Sequence, residues 1–200
     1  MDAYVLLQTE PGLAPTVMNA LVEGGVVDRA LCITGDADVF ARINGVNWND
    51  LKDRLLNKLQ RVPGVVRSST HVVVPTATVA RGAVPLHPVF SVVRDNAISA
   101  LVFVQLAAGT ARETVSSVRD IKGLLGLAVV TGEYDLIVQI AAPSIERLAS
   151  TVLQQLHTIP GVTSTKTSLI LAATPLKETR RRARKPARKP ARKATRRRRR

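Results

Sequence analysis

The 200 residues contain 29 lysines and arginines against 15 acidic residues, and the surplus of positive charge lies at one end. From Lys177 to the C-terminus there are 15 basic residues and one acid, so the first 176 residues hold 14 of each sign. A single cysteine, Cys32, excludes an intramolecular disulfide and a multi-cysteine metal site, and no apolar run approaches the roughly 18 residues of a membrane span. Because the N-terminus also lacks a basic leader, we expect a cytoplasmic protein with a neutral body and a cationic tail.

A repeat at a constant offset of 97 residues organises the body. The segment 34–38, TGDAD, recurs at 131–135 as TGEYD, and the Pro-Gly-Val of 63–65 recurs at 160–162. Several matches at one offset are hard to produce by chance. The repeat predicts four regions: a first unit at 1–75, a linker at 76–97, a second unit at 98–173 and a tail at 174–200.

Each unit opens with a strand, Ala3–Thr9 or Ala100–Leu106, followed by a turn glycine and a helix. Apolar residues at helical spacing mark that helix in both copies: Val17, Met18, Leu21 and Val22 in the first, and Val115, Val118, Ile121 and Leu125 in the second. Two strands then flank each TG turn, the outgoing strands being Val39–Ile43 and Leu136–Ile140.

The second helix of each unit gives the clearest pattern. Its apolar row is Trp48, Leu51, Leu55, Leu59 and Val62 in the first copy, and Ile145, Leu148, Val152, Leu156 and Ile159 in the second. Both rows stop at Pro-Gly, because proline opposes a helix and glycine permits the turn. A last strand follows, Val65–Val74 or Val162–Leu171.

The resulting β-α-β-β-α-β order, found twice, is the ferredoxin-like α+β arrangement, in which two helices cover one face of an antiparallel sheet. The other face, rich in valine and leucine, needs a second sheet to bury it. We therefore predict that the two copies pack as an internal pseudo-dimer, or that each pairs with a copy from another chain. In the linker, the apolar run Val89–Val93 predicts a short strand lying against a domain.

The tail has no apolar residue larger than alanine beyond Glu178, apart from proline rings, so we expect it to be disordered in isolation. We interpret it as an arm that binds DNA without sequence preference; RNA is another polyanion that its charge fits. The alternative is a solubilising tail, and membrane binding is disfavoured by the absence of inserting apolar residues. The predicted nucleic-acid-binding residues are Arg180, Arg181, Arg182, Arg184, Lys185, Arg188, Lys189, Arg192, Lys193, Arg196, Arg197, Arg198, Arg199 and Arg200.

The TGxxD turns are the sharpest local feature. Glycine allows a positive φ, and backbone N–H groups at such a turn can hold a carboxylate. Asp38 and Asp135 would then pair with an ammonium group, which together suits an amino acid. The alternative is a hairpin whose aspartate accepts backbone hydrogen bonds, with Asp36 and Glu133 as solvated turn residues.

Catalytic constellations are missing from the sequence. His71, His87 and His157 are not at metal-ligand spacing with one another or with Cys32, and none is shared by both copies. Cys32 lies between Leu31 and Ile33 in an apolar strand, which favours a buried, inert thiol. We therefore predict no catalytic residue, no metal site and no cofactor.

Each copy resembles the effector-binding (RAM) domain of Lrp/AsnC regulators. The second copy carries ALVFVQL, VVTGEYDLIVQI and IPGVTSTKTSLIL; the first carries AYVLLQT, CITGDADVFARI and VPGVVRSSTHVVV. The resemblance implies domains of the dimeric α/β-barrel type that assemble further, with amino-acid effectors bound between subunits near the turn. The residues implied for effector binding are Thr34, Gly35 and Asp38 in the first copy, and Thr131, Gly132, Tyr134 and Asp135 in the second.

The sequence departs from that family at two places. Ala37 stands where the pattern usually has an aromatic residue, as at Tyr134. Because the first strand starts at Ala3, we expect no helix-turn-helix before it and hence no base reading by a recognition helix.

Three functions remain open on the sequence. We favour a non-enzymatic regulator, nucleoid-associated through its tail, that senses an amino acid and forms homo-oligomers or hetero-oligomers. The second is an interaction module that assembles with full-length Lrp/AsnC regulators. The third is a small α/β-barrel enzyme, by analogy of fold alone.

Overall fold

The computed structural model describes residues 1–75, 89–90 and 97–174, which form two successive β-α-β-β-α-β units. The first unit contains β1 (Ala3–Thr9), α1 (Ala14–Glu23), β2 (Arg29–Ile33), β3 (Val39–Ile43), α2 (Trp48–Asp53) and β4 (Val65–Val72). The second contains β5 (Ile98–Leu106), α3 (Ala111–Val118), β6 (Leu124–Val129), β7 (Leu136–Ala142), α4 (Ile145–Thr151) and β8 (Val162–Ala173). The predicted α+β class and element order are confirmed.

The second helix of each unit starts and ends in the same way. The side chain of Asn47 accepts a hydrogen bond from the Asp50 N–H at 2.9 Å and caps α2, and Ser144 caps α4 in the equivalent position. Each helix then widens into a π-helical turn, Arg54–Lys58 or Val152–Leu156. The turns that follow are closed by glycines with positive φ, as the Pro-Gly pairs predict.

Several details of the predicted helices are wrong. Helix α3 ends at Val118, so Ile121 lies in the turn that follows it. Leu125 belongs to β6 because the chain reverses at Gly123, whose φ is +84°. Trp48 and Ile145 belong to the apolar rows but are 59% and 45% exposed. They stand in the first turn of each helix, and only the later members of each row reach the sheet.

The two four-stranded sheets join into one closed barrel within the chain. Their strand orders are β4-β1-β3-β2 and β8-β5-β7-β6, all antiparallel. Strand β2 pairs with β8, with Ile33 opposite Ile170, and Val73 forms a bridge to Val130 at the other junction. The second contact is the first one shifted by the repeat offset. The structure therefore has the internal pseudo-dimer, the first of the two predicted arrangements.

Burial explains why the strands read as nearly continuous apolar runs. Each unit has a core between its helices and its sheet, and a third core fills the barrel interior. Strand β5 is covered on both faces, which is why its sequence ISALVFVQL does not alternate. The interior core has the following buried members: Tyr4, Leu31, Ile33, Phe40, Val89, Phe90, Leu101, Phe103, Ala128, Val130, Tyr134 and Ile137.

Val89 and Phe90, from the predicted linker, lie inside the barrel and form a bend, which confirms packing against the body but not a strand at these two positions. The rest of the predicted strand, 91–93, lies outside the described residues. So do His87 and every residue of the predicted nucleic-acid-binding set. None of the helices that the structure describes is long and apolar enough to cross a membrane.

Candidate functional site

The two TG turns are held by the opposite half of the molecule. The Thr34 N–H donates to the Leu169 carbonyl at 3.0 Å, and the Leu169 N–H donates back to the Thr34 hydroxyl oxygen at 2.9 Å. On the other side, the Thr131 N–H donates to the Val72 carbonyl at 2.9 Å. The two threonines therefore extend the sheet across the junctions of the barrel.

Both turns require a residue without a side chain at the glycine position. Gly35 has φ +107° and Gly132 has φ +118°, and residues other than glycine rarely adopt this backbone conformation. A Cβ at Gly35 would lie 3.1 Å from the Ser168 hydroxyl, and one at Gly132 would lie 2.9 Å from His71 Nδ1. Each glycine thus lets its turn seat against the last strand of the other half.

The aspartates of the motif fix the turn to the first strand of their own half. Asp38 Oδ2 accepts hydrogen bonds from the Thr9 N–H at 2.7 Å and from the Thr9 hydroxyl at 3.3 Å. Asp135 Oδ2 accepts the Leu106 N–H at 2.8 Å. This is the geometry of the hairpin alternative; a part for either aspartate in effector binding stays a prediction.

A cleft of about 280 Å³ lies where the two turns meet. It combines residues from both halves and both signs of charge: Leu6, Gln8, Asp36, Ala37, Arg67, Ser68, Ser69, Glu133, Tyr134 and Lys166 line it. An ion pair between Lys166 and Asp36 crosses from one half to the other, and Asp36 raises the pKa of the Lys166 ammonium. Two acidic and two basic side chains therefore line this small cleft.

The aromatic side of the cleft is built on a buried histidine. The Tyr134 ring lies 5.1 Å from that of Phe103 and 5.6 Å from that of His71, and burial raises the pKa of its hydroxyl. His71 Nδ1 donates to the Thr131 carbonyl at 3.2 Å, which leaves Nε2 as acceptor for the Ser69 hydroxyl at 3.3 Å. Burial lowers the pKa of His71, which favours this neutral form.

Sequence reasoning missed part of this cleft. Asp36 and Glu133 are exposed turn residues, as predicted, but both also line the cleft, and Asp36 carries the ion pair. Gln8 and Gln105 donate to the Asp36 and Glu133 carbonyls at 2.8 and 3.1 Å, and their recurrence in the repeat was the available signal. The repeat gives no such signal for Lys166, because the equivalent residue of the first copy is Ser69.

The family model of the Lrp/AsnC ligand binding domain matches residues 2–81 and 99–181. The chain belongs to this family. Both stretches contain a TG turn, so both turns of the cleft belong to Lrp/AsnC-like sequence.

Two individual proteins are also similar to this chain. The HTH-type transcriptional regulator FL11 of Pyrococcus abyssi (strain GE5 / Orsay) is 26% identical over 132 residues, which are 66% of this chain and 75% of that protein. The structure of E. coli AsnC is 18% identical, covering 38% of this chain and 51% of that one, with a TM-score of 0.36.

A likeness in overall fold extends over more of the chain. The siroheme decarboxylase NirDL superposes with a TM-score of 0.58 and 10% identity, covering 86% of this chain and 72% of that one. At this identity the likeness shows the fold alone. Within the described residues of this Lrp/AsnC-family chain, no group of three or more histidine, cysteine or acidic side chains is placed to hold a metal ion.

Proposed function

We propose that this chain is a non-enzymatic Lrp/AsnC-type regulatory protein whose effector, an amino acid, binds in the cleft between the two TG turns. The observation that carries the proposal is the meeting of Asp36 and Glu133 with Arg67 and Lys166 at one junction of the two halves. An α-amino acid carries one charge of each sign, and such a cleft offers a partner to both. The volume of about 280 Å³ admits a ligand of that size.

In this proposal, the cations take the effector carboxylate and the acids take its ammonium group. The Lys166–Asp36 pair then opens, and each partner exchanges one ion pair for another. Tyr134 supplies the wall against which the effector side chain packs, while its counterpart Ala37 leaves room. Thr34, Gly35, Asp38, Thr131, Gly132 and Asp135 hold the two turns in place and complete the predicted effector set.

The first experiment is a thermal-shift screen of amino acids followed by calorimetry. A ligand at 100 times its dissociation constant stabilises a protein by about 2.7 kcal/mol, which such a screen detects. We expect Lys166→Ala and Glu133→Gln to weaken binding, while Lys58→Ala leaves it unchanged. Lys58 is the matched control, because its surface ion pair with Asp53 lies on the helix layer. Full binding by Lys166→Ala and Glu133→Gln would contradict the proposed cleft.

The proposal assigns DNA binding to the tail, on the strength of its 15 basic residues. Each phosphate neutralised on duplex DNA contributes about −0.9 to the slope of log K against log salt. Removing 177–200 should therefore abolish the mobility shift and leave the folded body intact by circular dichroism. A truncated protein that bound DNA equally well would refute the assignment.

The proposed effector and DNA sites are coupled through assembly. An effector that changes the number of chains per particle changes the number of arms, and avidity then alters DNA affinity without a new contact. Light scattering with and without the effector measures this directly. An unchanged particle mass together with an effector-dependent DNA affinity would contradict the coupling.

A second candidate function is an interaction module for related regulators. Large apolar side chains are exposed at equivalent positions of both halves, Trp48 and Ile145 in one pair and Leu56 and Leu153 in the other. A surface repeated in this way suits a partner that is itself of the Lrp/AsnC family. Co-purification with such a regulator, lost in Trp48→Ala, together with no response to amino acids, would favour this function.

A further inference from the structure

The interior of the barrel becomes polar at the end remote from the TG turns. Tyr4, Arg29 and Arg42 come from β1, β2 and β3 of the first half, and Ser99 and Gln139 come from β5 and β7 of the second. Ser99 and Gln139 are buried, and Gln139 is 1% exposed. Polar side chains in a barrel interior need partners, so their partners indicate what this end is built to hold.

Those partners are the backbone and ring of a dipeptide from the connector. The Arg29 guanidinium donates to the Phe90 carbonyl at 2.8 Å, and Gln139 Oε1 accepts the Phe90 N–H at 2.7 Å. The Phe90 ring stacks on that of Phe40 at 5.2 Å and on that of Tyr4 at 6.2 Å. Arg29 also lies over the ring, 5.5 Å from its centre. This end of the barrel therefore holds a planar aromatic group next to an oxygen acceptor.

Phe90 occupies this place in a strained conformation. Its φ is +83°, and no other residue except glycine has a positive φ in the described part of the chain. A bulky residue adopts such a φ only where its surroundings impose it, and strain of this kind collects at sites that change state. The dipeptide therefore makes favourable contacts in a strained backbone conformation. A free ligand in the same place would make such contacts without that strain.

The site also has charge and hydrogen-bonding capacity that the dipeptide leaves unused. The buried Nε atoms of Arg29 and Arg42 have no hydrogen-bond partner among the described residues. Asp2 pairs with Arg42 at 3.3 Å, so these three side chains carry one net positive charge. Burial and the neighbouring Arg42 lower the pKa of Arg29, as expected for two cations close together. One carboxylate would balance the charge.

A cavity of about 680 Å³ adjoins this end of the barrel. Its lining includes Tyr4, Arg42 and Asp2, and it is otherwise mainly apolar, with Leu127, Ala128 and Val129 contributed by β6. This volume lies within the range of small-molecule sites and exceeds what one aromatic amino-acid side chain fills.

We propose that this end of the barrel binds an aromatic carboxylate, which displaces Phe90. The ligand ring takes the place of the Phe90 ring against Phe40 and Tyr4. The ligand carboxylate then replaces the dipeptide carbonyls, Phe90 and Val89, as the hydrogen-bond acceptor for the Arg29 and Arg42 guanidinium groups. The site is separate from the cleft between the TG turns. The two ligands can therefore be tested independently.

Calorimetry with the full chain tests this site, using indole-3-acetate and its uncharged amide as probes. We expect the acid to bind at least about tenfold more tightly than the amide, since a hydrogen bond to a charged group is worth more than a neutral one. Phe90→Ala should tighten binding of the acid about fivefold or more, because the competing group is gone. Arg29→Gln should weaken it about tenfold, and Arg61→Gln, at an exposed position of the helix layer, should not change it.

Several results would overturn this proposal. Equal binding of acid and amide would refute the role of the guanidinium groups, and so would full affinity in Arg29→Gln. No binding to the wild type or to a folded Phe90→Ala protein would refute the site. If Phe90→Ala fails to fold by circular dichroism, Phe90→Leu keeps most of the volume without the aromatic face, and the same gain in affinity is required of it. A Lys166→Ala protein that lost its amino-acid response should still bind indole-3-acetate.

Discussion

The seating of the second TG turn on the first half can be tested by a single methyl group. In Gly132→Ala, the new Cβ would lie 2.9 Å from His71 Nδ1 and 3.3 Å from Cε1 of the same ring, at a φ of +118°. A positive φ costs about 1–2 kcal/mol for an L-residue, and overpacking costs about 1–3 kcal/mol. We therefore expect Gly132→Ala to lower the free energy of unfolding by about 2–5 kcal/mol.

Urea unfolding followed by circular dichroism measures this loss against a matched control. Gly109 has φ +83° and open space around its Cβ position, so Gly109→Ala should cost only about 1–2 kcal/mol for the conformation. In a His71→Ser background, which copies Ser168 of the other half, Gly132→Ala should cost about 1–3 kcal/mol less than it does in the wild type. If Gly132→Ala costs no more than Gly109→Ala, or if His71→Ser gives no relief, the turn does not seat on the other half.

Three further predictions concern the body of the protein. Burial lowers the pKa of His71 below its unfolded value near 6.5, so the unfolded chain binds more protons at this residue. The free energy of unfolding should therefore fall as the pH drops below about 6.5. His71→Gln should flatten that pH dependence in urea titrations at pH 5–8. Asp135→Ala should cost about 0.5–1.5 kcal/mol because the Leu106 N–H exchanges the carboxylate for water, whereas Asp135→Asn, which keeps an acceptor, should cost less. Equal losses would contradict this role. Leu101→Ala in the barrel interior should lower the free energy of unfolding by about 2–5 kcal/mol. The control Leu171→Ala should lower it by less than about 0.5 kcal/mol, because Leu171 is 67% exposed. Similar losses in the two variants would mean that the interior is not packed.

The repeat made much of the fold predictable from sequence. The offset of 97 residues gave the order of elements, and the apolar strands indicated a second buried sheet face. Local spacing patterns predicted the ends of helices less accurately. Leu125 continued a helical spacing, yet Gly123 turned the chain into β6 before it. Periodicity records which residues share a face, and it does not record where a glycine reverses the chain.

The candidate site was predictable only where both copies agree. The threonines, glycines and aspartates of the two motifs occupy equivalent places at the barrel junctions. The cleft between them is asymmetric, because Lys166 faces Asp36 on one side while Ser69 stands at the equivalent position. A contact between residues 130 positions apart, present in one copy only, leaves no trace in a repeat.

The buried dipeptide was also beyond the reach of the sequence. Val89 and Phe90 belong to the connector, which has no counterpart in the repeat, and their apolar character alone predicts a strand. Their partners, Arg29, Arg42 and Gln139, come from strands of both halves. Such a site becomes visible only when the two sheets face each other.

The closed barrel requires that the two halves of one chain pair with each other, and isotope-diluted NMR tests this pairing directly. Ile33 pairs with Ile170 and Val73 pairs with Val130 across the two junctions. In a sample of labelled chains diluted about tenfold with unlabelled chains before refolding, the cross-strand nuclear Overhauser effects at both pairs should keep their full intensity per labelled chain. Loss of these signals in proportion to the dilution would mean that the halves pair between different chains, which contradicts the account.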